Sequence, residues 1–121
     1  MLINLSNHPV ALWSKSQREM AVARWGDVGD MTFPDIDPSL SREELLPTVE
    51  ACYAACRAKA EACGVKVAFH VMGESVFCFH LVGRLLQAGY TVVASTSTRN
   101  AVCNADGMKI SQFEFVNFRE Y

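Results

Sequence analysis

At 121 residues, half of them apolar, the chain has enough material for one core and too little for two domains, so a single domain spanning 1–121 is expected. Lys plus Arg number 11 against 13 Asp plus Glu, a formal net charge of −2, which argues against electrostatic binding of long nucleic acid while leaving room for a small anionic ligand in a local pocket. No apolar run reaches the roughly 18 residues of a membrane helix and the N-terminus lacks the basic-then-apolar layout of a signal peptide, so the expectation is a cytoplasmic protein without a membrane partner.

Ile3-Asn4-Leu5 opens the chain as a strand that runs out into Ser6-Asn7-His8-Pro9. Trp13 to Trp25 reads as a helix, with Ser14 or Ser16 as its cap, Leu12, Met20, Val22 and Ala23 at near-helical spacing, and Gly26 as its stop. Asp27 to Phe33 is a short second strand, and Pro34-Asp35-Ile36-Asp37-Pro38 is a rigid loop because each proline fixes φ and removes a donor. Ser41-Arg42-Glu43-Glu44 opens the longest helix as a capping box. Pro47 fits its first turns, and Val49, Cys52, Tyr53, Cys56, Ala60 and Cys63 continue one apolar face to Gly64.

Lys66 to Val71 is a buried strand, followed by Gly73-Glu74-Ser75 and a third helix from Ser75 to Gln87 that Ser75 caps and Gly89 ends. Tyr90 to Ala94 is the fourth strand, with the polar run Ser95-Thr96-Ser97-Thr98-Arg99-Asn100 after it. Asn104-Ala105-Asp106-Gly107 is a turn, and Phe113, Phe115 and Phe118 mark a terminal strand. Alternating β and α segments imply an α/β, three-layer domain on a mainly parallel sheet of about five strands. A strand order of 2-1-3-4 with the last strand at the edge fits this pattern, and antiparallel pairing of that strand with the fourth fits the final turn.

Three strands thus run out into short polar clusters, and in an open α/β sheet those exits line one edge where helix N-termini offer N–H groups to anions. A shared phosphate-type pocket is the expectation. At the first exit, Ser6 and Asn7 can orient a sugar or phosphate and His8 can donate a proton near neutral pH, although the same residues also suit a plain turn and cap. At the second, Gly73 lets the backbone approach a ligand and Ser75 offers a helix N-terminus. Glu74 can act as a base or hold ribose hydroxyls, or simply favour the helix dipole.

At the third, Ser95, Thr96 and Ser97 set hydroxyls beside Arg99, whose guanidinium can bond a phosphate twice over. His70 in a strand and His80 in an apolar helix read as core histidines. The five cysteines, Cys52, Cys56, Cys63, Cys78 and Cys103, contain no CxxC pair and read as reduced thiols, so no metal site and no cofactor are expected. GxGxxG, Walker A and GxSxG segments are absent.

The segment Leu2-Ile3-Asn4-Leu5-Ser6-Asn7-His8-Pro9, the element order after it and the Gly73-Glu74-Ser75 turn resemble small CRISPR-associated proteins of the CARF-like, single-domain ring nuclease type. The ending Phe113 to Tyr121 resembles that of an uncharacterised bacterial family. The first resemblance implies a Rossmann-like homodimer in antiviral defence that binds a cyclic oligoadenylate and, in some members, cleaves it without metal by ribose 2′-hydroxyl attack. His8, Glu74 and Arg99 are then the candidate catalytic residues, with Ser6, Asn7, Gly73, Ser75, Ser95, Thr96 and Ser97 binding the ligand. The competing expectation is a nucleotide-sensing or protein-interaction module without turnover.

Overall fold

The computed structural model describes residues 1–121. Five strands, β1 (Leu2–Ser6), β2 (Val28–Asp30), β3 (Ala68–Met72), β4 (Thr91–Cys103) and β5 (Lys109–Glu120), form one sheet in the order β2-β1-β3-β4-β5. The first four are parallel and β5 runs antiparallel to β4, so the architecture is α/β on a mostly parallel sheet with the expected strand order. Three helices connect them: α1 (Lys15–Trp25) after a 3-10 turn at Val10–Leu12, α2 (Arg42–Cys63) and α3 (Ser75–Gln87).

Alternation along the strands decides which helix each residue meets. Ile3, Leu5, Phe69, Val71 and Val92 pack with Leu45, Val49 and Cys56 of α2 and with Phe77, Leu81 and Leu85 of α3, forming the larger core. Leu2, Ala68, Val93 and Phe118 turn the other way, onto Ala21 of α1 and Trp13. Asn4, Ser6 and His70 share that second register, so the α1 side of the sheet becomes polar towards the carboxyl ends of β1 and β3. All three are nevertheless buried.

Local signals place the helices. Ser14 caps α1 by accepting from the Gln17 amide at 3.2 Å, and Gly26 ends it at φ 84°. At α2 the Ser41 hydroxyl accepts from Glu44 N while the Glu44 carboxylate accepts from Ser41 N, a reciprocal box that satisfies two otherwise orphaned donors. The helix continues through Pro47, which leaves one carbonyl of the first turn without its i+4 donor.

Three expectations are corrected. The cap of α3 is Glu74 rather than Ser75: its carboxylate accepts from Val76 N at 3.2 Å and Phe77 N at 2.7 Å, where a negative charge also meets the positive end of the helix. The second strand is only Val28–Asp30. The polar run after Ala94 is strand, not loop, because β4 pairs with β3 only over Thr91 to Val93 and then with β5 as far as Cys103. The β4 and β5 segments beyond the sheet form a two-stranded ribbon at its carboxyl edge, with a bulge between Thr96 and Ser97.

Candidate functional site

Asn4 lies in the middle of β1 and is 1% exposed, so all its polar atoms need partners inside the protein. Its amide nitrogen donates to the Asp30 carboxylate at 2.8 Å and to the His8 carbonyl at 2.9 Å. Both are acceptors only, which fixes the orientation of the amide and leaves Oδ1 facing the Ser6 hydroxyl at 2.9 Å and His70 Nδ1 at 2.8 Å. The His8 carbonyl also receives the Trp13 indole N–H at 3.0 Å, locking the turn after β1 against the start of α1.

The fixed amide sets the tautomer of His70. Since Oδ1 can only accept, Nδ1 carries the proton and Nε2 is left with a bare lone pair. The opposite tautomer would place two acceptors 2.8 Å apart. Nε2 is buried and has no hydrogen-bond partner, and burial pushes the imidazole pKa down to about 4, so the ring is neutral near pH 7. Trp13 and Phe118 meet the imidazole edge-on, with centroids 5.2 and 5.6 Å away.

Above this network a hollow of about 540 Å³ opens at the carboxyl edge of the sheet. The β1 exit contributes Ser6, Asn7 and His8, the start of α1 contributes Ser14 and Gln17, β3 contributes His70, and Leu12, Trp13, Phe113 and Phe115 supply apolar walls. No Lys, Arg, Asp or Glu lines it. Its size and its mix of aromatic walls with a few convergent hydrogen-bonding groups suit a small, ring-bearing organic ligand.

Of the residues singled out in the sequence, Ser6, Asn7, His8, Gly73 and Ser95 come together on this hollow. Gly73 answers first to packing, since an added Cβ would collide with the Phe33 ring. Both Glu74 oxygens are committed to α3. Ser75 lines a different, mostly apolar hollow along α3. Thr96 donates to the Asn117 carbonyl at 3.2 Å, and Ser97 stands opposite Phe115 on the ribbon.

Arg99 pairs across the ribbon with Phe113, on the same face but outside the lining, and donates to the Ser111 hydroxyl at 3.0 and 2.8 Å without any carboxylate partner. Sequence reading passed over Asn4, Ser14, Gln17, Phe113 and Phe115 as site residues; it weighed Trp13, just beyond His8, as a ring that could stack a base, and it read His70 as core, where the residue is indeed buried. The available signal was Asn4 itself, an amide in the centre of an otherwise apolar strand. No curated protein and no solved structure matches the chain. A family model matches residues 1–119, nearly the whole length, and the chain belongs to the family it describes, the Uncharacterized protein MJ1673 family.

Proposed function

We propose that the hollow at the carboxyl edge of β1 and β3 binds a nucleotide, and that a phosphodiester such as a cyclic oligoadenylate is its ligand class, on a three-layer, Rossmann-like domain working in the cytoplasm. The observation that carries this reading is the pairing of an uncharged polar β1 exit with aromatic rings across one hollow. Phe113 is 69% exposed there, and an uncovered ring is a platform on which a base stacks for about 1–3 kcal/mol. Ser14 and Gln17 bring the N-terminus of α1 to the same space, where backbone N–H groups favour a phosphate. Arg99, free of carboxylates and one cross-strand step beyond the wall, suits a phosphate that extends out of the hollow. Five unpaired cysteines fit a reducing compartment.

The experiment is to incubate the purified protein, without metal, with a panel of cyclic and linear oligoadenylates and to follow thermal shift and product together. Stabilisation alone supports a sensor. Attack of a ribose 2′-oxygen on the adjacent phosphorus, with expulsion of the 5′-oxygen, leaves a 2′,3′-cyclic phosphate and a 5′-hydroxyl, so that product supports a ring nuclease. Neither response removes the oligonucleotide reading and favours a protein-interaction module.

Loss of one charge-assisted contact costs about 1.5–3 kcal/mol, so Arg99→Ala is expected to weaken binding roughly ten- to hundredfold, whereas His8→Ala is expected to slow any turnover more than it weakens binding. A homodimer belongs to the same proposal. The ribbon carries exposed Val102 and Ile110 next to open strand edges, which a second copy would cover. Sedimentation showing only monomer at micromolar concentration would remove the dimer.

A further inference from the structure

We propose that His70 reads the ribose of this ligand, with Nε2 accepting a hydrogen bond from a sugar 2′-hydroxyl and Asn4 acting as the positioning residue that keeps Nε2 in its accepting form. The inference rests on the nucleotide reading of the hollow and deepens it. His70 Nε2 is the one buried side-chain nitrogen or oxygen without a partner in the structure, and its residue lines the hollow. A buried polar atom left unpaired is costly, and its retention beside a ligand-sized space points to a partner that arrives with the ligand.

The chemistry of that partner follows from the surroundings. The Asp30–Asn4–His70 chain of hydrogen bonds fixes a bare lone pair, so the incoming group must be a donor. The lining holds no charged side chain to balance a cation, so a neutral donor fits, and on a nucleotide the ribose hydroxyl is such a group. Nε2 exposes less than 1 Å² as the wall stands, so a ring must turn to admit the hydroxyl. The imidazole is met by Trp13, which lines the hollow with its centroid 5.2 Å away, and by Phe118 at 5.6 Å. Phe115, half-buried on the same hollow, packs 4.9 Å from Phe118, so a base wedged against Phe113 and Phe115 turns the rings over His70 through Phe118.

The test uses titration calorimetry of the full chain with cyclic tetraadenylate and with its all-2′-deoxy counterpart. Wild type is expected to bind the ribose form roughly ten- to hundredfold more tightly. H70N keeps an amide donor near the Nδ1 position, towards Asn4, but has nothing at Nε2. It is expected to bind both probes alike, at the deoxy affinity. In wild type labelled with 15N at histidine, Nδ1 should carry the proton, and the Nε2 resonance should move with the ribose probe and stay with the deoxy probe.

Equal binding of the two probes by wild type, or a preference that survives in H70N, overturns the role of His70 and leaves the nucleotide site standing. If neither probe binds wild type, the site reading fails and the role fails with it. Should H70N not fold, the wild-type preference and the 15N resonances decide the question without it.

Discussion

Asn4→Leu is expected to destabilise the protein by about 3–5 kcal/mol, a large fraction of what a domain of this size possesses. Leucine keeps the branching of the asparagine side chain, so at a residue that is 1% exposed no cavity opens and the loss comes from the hydrogen bonds. Asp30 is exposed and recovers its hydration, and the His8 carbonyl keeps its bonds from Trp13 and Ser6. His70 has no such recourse. Its Nδ1–H would lose the one acceptor it is bonded to, leaving both ring nitrogens unpaired in the interior. Urea unfolding measures the effect as a fall in midpoint at constant slope. A loss below about 1 kcal/mol would mean that this face of β1 accepts an apolar side chain and that the network contributes nothing to the fold.

How much of this was legible in the sequence depended on the range of each interaction. The Ser41–Glu44 box is a three-residue device, and it forms as the spacing predicts. The helix stops are local too: Gly64 ends α2 in the left-handed region at φ 65°, which the absence of a Cβ makes inexpensive. Strand order followed from alternating β and α segments and the short final turn. The length of β4 did not, because the ladder that holds Ser95 to Cys103 in strand is supplied by β5, and a polar run with β-branched residues looks like a loop until that partner is known.

The site divides along the same line. The β1 exit was legible because Ser6, Asn7 and His8 are contiguous and follow an apolar strand. The unpaired Nε2 of His70 was not, since the group that fixes its tautomer lies 66 residues earlier in the chain. Within β3 alone, a histidine between Phe69 and Val71 has no feature that separates a packed core residue from an acceptor facing a ligand space. Arg99 was legible as a residue type but not in its place. Its composition suited a phosphate, but the ribbon carries it one cross-strand step past the wall, a displacement that only the register reveals.

The protein is expected to lose about 3 kcal/mol of stability as the pH falls from about 6.5 to about 4, and His70 sets that window. In the folded chain desolvation holds the imidazole pKa at about 4, against 6.5 for an unperturbed histidine. Between those values the unfolded chain binds a proton that the folded chain refuses, so stability is complete above the higher value and declines as the pH drops towards the lower. Carboxylates cannot mimic the upper part of this slope. Asp37, Glu43 and Glu50 are exposed and held below their ordinary values by hydrogen bonds to Ser39, Arg42 and Arg84, so their effects begin at lower pH. Urea unfolding of wild type and H70N at intervals between about pH 7 and pH 5 isolates the histidine. The wild-type curve should fall with acid while the H70N curve stays flat, and parallel curves would show that His70 is either not desolvated or already paired in the folded protein.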